Sequence, residues 1–199
     1  MAGLDFLFYG GRPSLDFVNT LRRRKDPSTP TRDLLADKGI RVWFERARAQ
    51  AAWATELPGL VPDMGPSDLL IDNGTDLRQA ILSLVENEFD TAADGANPHQ
   101  AALAVLNDYA KGAPLTYQVG GDGLLLPSAN PETILSFVAS DAIRLFSSAA
   151  SQCVKVCAHE RCGIVFEDRS NGMRRQWCSM KDCGNRAKVA RYASTTGSA

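Results

Sequence analysis

The sequence predicts a mainly α protein: a helical N-terminal domain with a short first strand and one β-hairpin, then a small α+β module at the C-terminus. Three observations carry this. Apolar residues recur at helical spacing in five segments of the first 150 residues. Two of those segments open on Asn97-Pro98 and Asn130-Pro131, an N-cap followed by proline at the first helical position. The five cysteines of the 199 residues all fall between Cys153 and Cys183. A disulfide framework across the fold is thereby excluded, and one local cysteine site is expected.

Taken in order, Phe6-Leu7-Phe8-Tyr9 reads as a strand, followed by a Gly10-Gly11 turn. Pro13 and Ser14 open a helix through Leu15, Val18 and Leu21. It ends at Arg22-Arg23-Arg24-Lys25, where cations would meet the negative end of the dipole. A second helix is expected over Lys38–Ala54, capped by Asp37, with Val42, Trp43 and Ala49 inward and Gly39 weakening its start. A third should run from Asp76 to Phe89 through Leu77, Ile81, Leu84 and Val85. The fourth carries Leu103, Leu106 and Tyr109 and stops at Gly112, a fit C′ residue. The fifth carries the wide apolar face Ile134, Leu135, Val138, Ala142, Leu145, Phe146 and Ala149. Leu115–Val119 and Leu124–Leu126 flank Gly120-Gly-Asp-Gly123 as a hairpin. No helix follows those glycines directly, so they are turn chemistry and no phosphate loop.

Composition bounds the function. Apolar residues make up 44% and charged residues 23%, an ordinary globular balance. No apolar run is long enough to span a membrane, and Met-Ala-Gly-Leu-Asp-Phe lacks the basic start of a secretory signal. A cytoplasmic protein with no membrane partner is expected. The net charge of −1 conceals a split. Residues 1–152 hold thirteen Lys/Arg against nineteen Asp/Glu, a net −6, while residues 153–199 hold nine against four, a net +5. An acidic body thus carries a basic, cysteine-rich end.

That end contains Cys157-Ala-His-Glu-Arg-Cys162, fifteen residues, and Cys178-Ser-Met-Lys-Asp-Cys183. Two C-x4-C pairs can close a tetrahedral all-sulfur site, which suits one structural Zn2+ and leaves no open position for catalytic water. Four-cysteine iron–sulfur sites use other spacings. Gly163 and the strand Ile164-Val165-Phe166 follow the first pair, and a helix over Ala187–Ala193 follows the second. A knuckle joined to a helix start is a treble-clef-like arrangement. So small a module needs the metal for much of its folding energy. Cys153 is left over, one helical turn before Cys157, and reads as a small buried hydrophobe or an exchangeable fifth thiol. His159 lies inside the knuckle, with four cysteines already available to the metal. His99 reads as an exposed residue. No linker separates the fifth helix from the cysteines, so the module should be docked on, or rigidly joined to, the body.

At these residues the sequence resembles a known family. Cys178-Ser-Met-Lys-Asp-Cys183-Gly184-Asn185-Arg186, preceded by Phe166-Glu-Asp168-Arg169-Ser170 and Arg174-Arg175-Gln-Trp177, resembles the CGNR zinc finger over residues 153–193. Gly11-Arg-Pro-Ser-Leu15-Asp16-Phe17-Val-Asn19-Thr20, with Trp43 beyond, is similar to the ABATE domain over residues 1–152, leaving 194–199 as a disordered tail. The resemblance implies a bacterial transcription regulator responding to stress, with DNA-binding by the finger and the helical domain sensing a signal or partner. One departure is Gln176, where the family usually places arginine before the tryptophan.

Phosphate neutralisation is the first need of a nucleic-acid binder. Zinc bound by four thiolates contributes about −2, which lowers the module's +5 to roughly +3. At 100° per residue, Lys181, Lys188 and Arg191 form one basic stripe, provided the helix begins early enough to include Lys181. Val189, Tyr192 and Asn185 would lie beside it on a partly buried face. Arg169, Arg174 and Arg175 sit on the loop before it and could track phosphates, or form a solvated basic loop. Arg186 falls off the stripe. It could pair with Asp182 or buttress the metal site, as could Asn185, and Trp177 would shield the zinc. Double-stranded DNA bound by a homodimer is the expected partner, since a lone finger reads few base pairs. The alternative is a zinc-scaffolded protein-interaction module, whose basic face the acidic body could occupy. An enzyme is not expected: residues 1–152 hold one histidine, no cysteine and no G-x-S-x-G motif. Asp16 and Asn19 share a helical face and read as ligand-pocket groups or as a buried cap-and-turn network.

Overall fold

Residues 4–62, 68–86 and 98–196 are described by a computed structural model. In chain order they form α1 (Pro13–Val18), β1 (Leu21–Arg22), β2 (Arg32–Asp33), α2 (Leu34–Gln50), α3 (Asp68–Glu86), α4 (Pro98–Ala110), α5 (Pro131–Phe146), β3 (Val154–Val156), β4 (Val165–Glu167) and α6 (Asn185–Thr196). The helix-rich class and the C-terminal α+β module agree with the expectation from sequence. α3 packs on α4, α4 on α5, and α1 sits against α3, α5 and β4.

All six residues of α1 are buried. So short a helix has little stability of its own. Burial of Leu15, Phe17 and Val18, together with side-chain bonds, holds it. Phe17 meets Trp43 edge-on with ring centroids 5.0 Å apart, and Trp53 lies 5.9 Å beyond. Asp141 on α5 accepts from the Ser14 N–H and hydroxyl and from the Arg12 guanidinium at 2.8 Å. Asp16 accepts from the Gly10 N–H at 2.7 Å and the Trp53 indole at 2.8 Å. A Cβ on Gly10 would stand 2.9 Å from Asp16 and Leu15 atoms, so only glycine lets the chain pass here. Asp16 and Asn19 therefore belong to a buried network and line no open pocket.

Several expectations need correction. Phe6–Tyr9 forms no strand among the described residues. Phe6 is buried in the main core, while Leu7 and Tyr9 pack toward the cysteine module. The first helix stops at Val18, because Thr20 turns its hydroxyl back to the Phe17 carbonyl at 2.7 Å and Leu21–Arg22 leaves as β1. Arg22–Lys25 is thus no helix terminus. β1 pairs antiparallel with β2, a hairpin the sequence reading passed over. The second helix begins at Leu34, capped by Asp33 through the Leu35 and Ala36 N–H groups at 3.0 and 3.1 Å. Asp37 instead pairs with Arg32. Gly39 (φ 82) kinks the helix, which rotates its later face: Trp43, Phe44 and Ala47 point inward, Val42 and Ala49 outward. Asp33 also holds Arg78, whose side chain is buried on α3.

α3 starts earlier than expected and buries Leu77, Ile81 and Leu84. Its expected end at Phe89 lies outside the described residues, as does the Asn97 cap of α4. Gly112 is not left-handed, and the last turn of α4 closes by Lys111 and Gly112 N–H bonds instead. α5 has the expected Asn130 cap, with a reciprocal bond between Asn130 and Thr133. The glycine-turn hairpin narrows to one bridge, Val119↔Leu125. α6 continues to Thr196, into the segment expected to be a tail, and residues 197–199 lie outside the described residues.

Burial raises the Asp16 carboxyl to about 7, against hydrogen bonds from Trp53, Gly10 and Asn19. The unfolded carboxylate ionises near 4, so the folded chain keeps a proton that the unfolded chain releases. This group's contribution is complete below about pH 4 and lost as pH rises through 7. Chemical denaturation is expected to give a stability ~2 kcal/mol lower at pH 7.5 than at pH 5.5 from this group. Asp16→Asn removes that dependence while costing about 1–3 kcal/mol at both pH values, since an amide NH2 cannot accept the bond its oxygen did.

Candidate metal centre and basic surface

β3 and β4 pair antiparallel in the register Val154↔Glu167, Lys155↔Phe166, Val156↔Val165. The Cys157 N–H extends the ladder to the Ile164 carbonyl at 2.8 Å, and the residues between form the knuckle carrying Cys162. The chain returns along the knuckle, with the Ala158 N–H bonded to the Gln176 carbonyl at 2.9 Å, and so delivers Cys178. Ser179 caps the wide π-type turn Met180–Gly184 that carries Cys183 and leads into α6.

The four sulfurs of Cys157, Cys162, Cys178 and Cys183 lie within 4.8 Å of one another. Cys162–Cys178 and Cys178–Cys183 sulfurs stand 3.7 and 3.6 Å apart. Four sulfurs at about 2.3 Å from one zinc would be separated by about 3.8 Å. A disulfide needs about 2.05 Å, and all five cysteines are free thiols. Three of the four ligands are buried. Hydrogen bonds from Cys162 and Cys178 push the Cys157 thiol far down, whereas Cys162 and Cys178 are pushed up by bonding to Cys157, and burial pushes Cys183 up to about 12. Without a cation the cluster thus favours one thiolate and resists more. One divalent ion reverses that balance, so the donor set fits one zinc. Cys153 lies outside the group, half-buried with its sulfur 3.4 Å from that of Met173. His159 uses Nδ1 to accept the Arg161 N–H at 3.3 Å. His99 is half-buried at the start of α4.

Around the sulfurs lies a compact shell of Ile164, Phe166, Leu7, Tyr9 and Trp177. Asn185 donates to the Lys181 carbonyl at 3.1 Å across the turn. Arg175 stacks 4.2 Å over the Phe166 ring and donates to the carbonyls of Trp177 (2.9 Å) and Cys178. Asp168 has a fully buried carboxylate. Burial opposes its charge, yet Lys155 at 2.7 Å, the Ser170 hydroxyl and the Ser170 and Arg175 N–H groups hold it well below the usual carboxylate range.

The sequence-predicted cations divide into groups. Arg169 is exposed but bonded to Glu167 at 2.7 Å. Arg175 is half-buried and engaged as described. Arg174, Lys181, Lys188 and Arg191 are exposed. Lys188 and Arg191 share a face of α6 at a spacing of three residues. Lys181 sits on the π-type turn, so the angular argument from an ideal helix does not reach it. Val189 and Tyr192, expected on a partly buried face, are instead among the most exposed large apolar residues, because α6 packs chiefly on the turn before it. Arg186 faces the other way, into a cleft of about 500 Å3 shared with Arg22, Arg23, Arg161 and three of the cysteines. The Asp182 carboxylate accepts from Tyr9 at 2.6 Å, and Arg186 meets it by charge alone, without a hydrogen bond. Among the described residues Arg22 donates only to a carbonyl, that of Asp5. The negative metal–thiolate core beside it is a natural counter-charge.

The module joins the body through polar bonds that sequence reasoning did not identify. Asn19 donates to the Val165 carbonyl at 2.8 Å and accepts the Val165 N–H at 2.9 Å. The Glu167 N–H bonds the Gly10 carbonyl, and Arg24 donates to the Gly163 carbonyl at 2.7 Å. Arg161 forks onto Asp26 at 2.9 and 3.0 Å. These pairs span more than 130 residues and leave no spacing signature.

Two outcomes are expected. Purified protein should carry one zinc per chain by elemental analysis, and Cys178→Ser or Cys183→Ser should lose it. Asn19→Ala strands a buried donor and acceptor on Val165 and should cost about 2–5 kcal/mol in denaturant melts, with faster zinc transfer to a chelator.

No curated protein matches the chain. Residues 154–194 match the CGNR zinc finger. Residues 11–149 match the ABATE family, described as "Putative stress-induced transcription regulator". With well over half its length inside that match and the four-sulfur cluster inside the other, the chain belongs to the ABATE family and ends in a CGNR zinc finger.

Proposed function

We propose that the chain is a DNA-binding regulator of transcription acting in the cytoplasm under stress, with residues 153–193 as the contact module and residues 1–152 as a sensing or partner domain. One observation carries this reading. The basic module exposes Arg174, Lys181, Lys188 and Arg191 on one end of the chain, and Lys155, Arg161 and Arg169 pair with Asp168, Asp26 and Glu167. The net positive charge is thereby concentrated on α6 and the loop before it, where it can neutralise duplex phosphates. Arg175, Asn185 and Trp177 serve the metal site, and zinc orders the turn from which α6 departs. No helix among the described residues is long and apolar enough to cross a membrane, and neither family description is that of an enzyme. We assign no catalytic role.

A second reading has its own observation. Val189, Tyr192 and Met180 are exposed apolar residues beside the cations, as on a protein-docking helix. Fluorescence anisotropy of zinc-loaded protein with random duplex DNA decides between them. Four phosphate contacts give a slope of roughly −3.6 in log K against log salt, on the order of a 100-fold loss from 50 to 200 mM. Lys188→Glu/Arg191→Glu should weaken binding on the order of 10- to 100-fold and flatten the slope by about 2. Absence of binding at low salt, with zinc confirmed, would favour the protein-docking reading.

A further inference from the structure

The hairpin that follows α4 is out of character with the rest of the surface. Tyr117 is 57% exposed, Val119 67%, Leu124 67%, Leu125 47% and Leu126 42%. Together these side chains leave on the order of 500 Å2 of apolar surface in water, near the upper limit for the largest patch on a monomer. Residues 112–128 contain one charged side chain, Asp122. Its carboxylate is used at the turn, accepting the Leu124 N–H at 3.0 Å.

The backbone adds a second, independent feature. Within the hairpin the Leu126 N–H bonds the Gln118 carbonyl and the Gly120 N–H bonds the Leu124 carbonyl, both at 2.8 Å. The opposed pair Val119↔Leu125 therefore points its N–H and C=O groups outward, as Tyr117 does. Among the described residues no backbone bond occupies the outward groups of Tyr117 or Val119. The base of the hairpin is rooted by Ser128 to the Thr116 carbonyl at 2.6 Å and by Ala129 to the Gly59 carbonyl at 3.0 Å. Alternation puts Tyr117, Val119 and Leu125 on one face and Leu124 and Leu126 on the other. Both faces and one edge are thus presented by a segment of defined register.

We propose that this hairpin is a homodimer interface, in which the 117–119 edge pairs antiparallel with the same edge of a second copy about a twofold axis. An antiparallel edge is complementary to itself, which is what a twofold contact requires. Full cover of these five side chains in both copies would bury about 1,000 Å2, the threshold for a specific interface, so the two faces flanking the paired edge must also meet the second copy. Near-absence of charge removes any basis for selecting nucleic acid or a charged partner. The proposal does not depend on the DNA-binding reading.

The test is sedimentation velocity of the zinc-loaded full chain from 1 to 100 μM. The expected species has twice the 21.5 kDa chain mass. Val119→Lys/Leu124→Lys should raise the dimer dissociation constant on the order of 100-fold. The milder Tyr117→Thr/Val119→Thr/Leu124→Thr, which keeps strand propensity, should do the same with unchanged helical circular dichroism and zinc content. Lys188→Glu/Arg191→Glu should leave the dimer intact whatever it does to DNA binding. A wild-type monomer at 100 μM, or a dimer that survives the threonine variant, overturns the proposal.

Discussion

The carboxamide of Asn19 closes the open edge of β4. One edge of that strand is paired with β3 and the other would be bare, yet it is buried beneath the body. Asn19 supplies a donor and an acceptor at the spacing of a peptide group, and so acts as a one-residue strand against Val165. Its position is set in turn by α1, whose six residues are held by Asp141, by Asp16 and by the aromatic pair Phe17–Trp43. The helical body thus orients the strand, the strand orients the knuckle, and the knuckle places two of the four sulfurs. Removing this carboxamide would strip Val165 of both its backbone partners and leave the Glu167–Gly10, Arg24–Gly163 and Arg161–Asp26 bonds to hold the two family segments.

Charge is handled in the same layered way. The cysteine core repels its own second thiolate and therefore depends on a cation. The ion and four thiolates together are negative, and the body answers with Arg22 and Arg23 across the cleft from Arg186. Arginine suits this role because its charge is permanent and its fork also reaches carbonyls, as Arg24 and Arg175 do. The Arg22–Lys25 run, which looks like a helix end in one dimension, in three dimensions sends Arg22 and Arg23 into the cleft beside three of the cysteines and Arg24 onto the Gly163 carbonyl.

What the sequence disclosed follows from how local each signal is. The two C-x4-C pairs, the Asn130-Pro131 start and the helical stripes of α3 and α5 need only neighbouring residues, and they stand in the structure, save that α5 ends at Phe146 and leaves Ala149 exposed beyond it. Leu21 continues the apolar spacing of the first helix past its end, while the reason for stopping, a hairpin closed by Asp33, lies a dozen residues on. α2 was entered late because Asp37 and Asp33 are both chemically fit caps, and what selects Asp33 is the buried Arg78 on a distant helix. For Val189 and Tyr192 helical spacing identifies a shared face, expected to be partly buried, without saying whether anything covers it. The expectations that failed are those in which a tertiary partner decides between two locally acceptable choices.

α6 is fastened chiefly at one end, through the turn that carries Cys183. Its twelve residues extend about 18 Å from that anchor. It therefore behaves as a lever with its pivot at the metal. A tilt of about 10° at the pivot moves the far end by about 3 Å, close to the 3.4 Å axial rise per nucleotide of a duplex strand. Four thiolates on one ion would tie the turn to the knuckle, so the metal would work here as a bearing at the root of a long pointer.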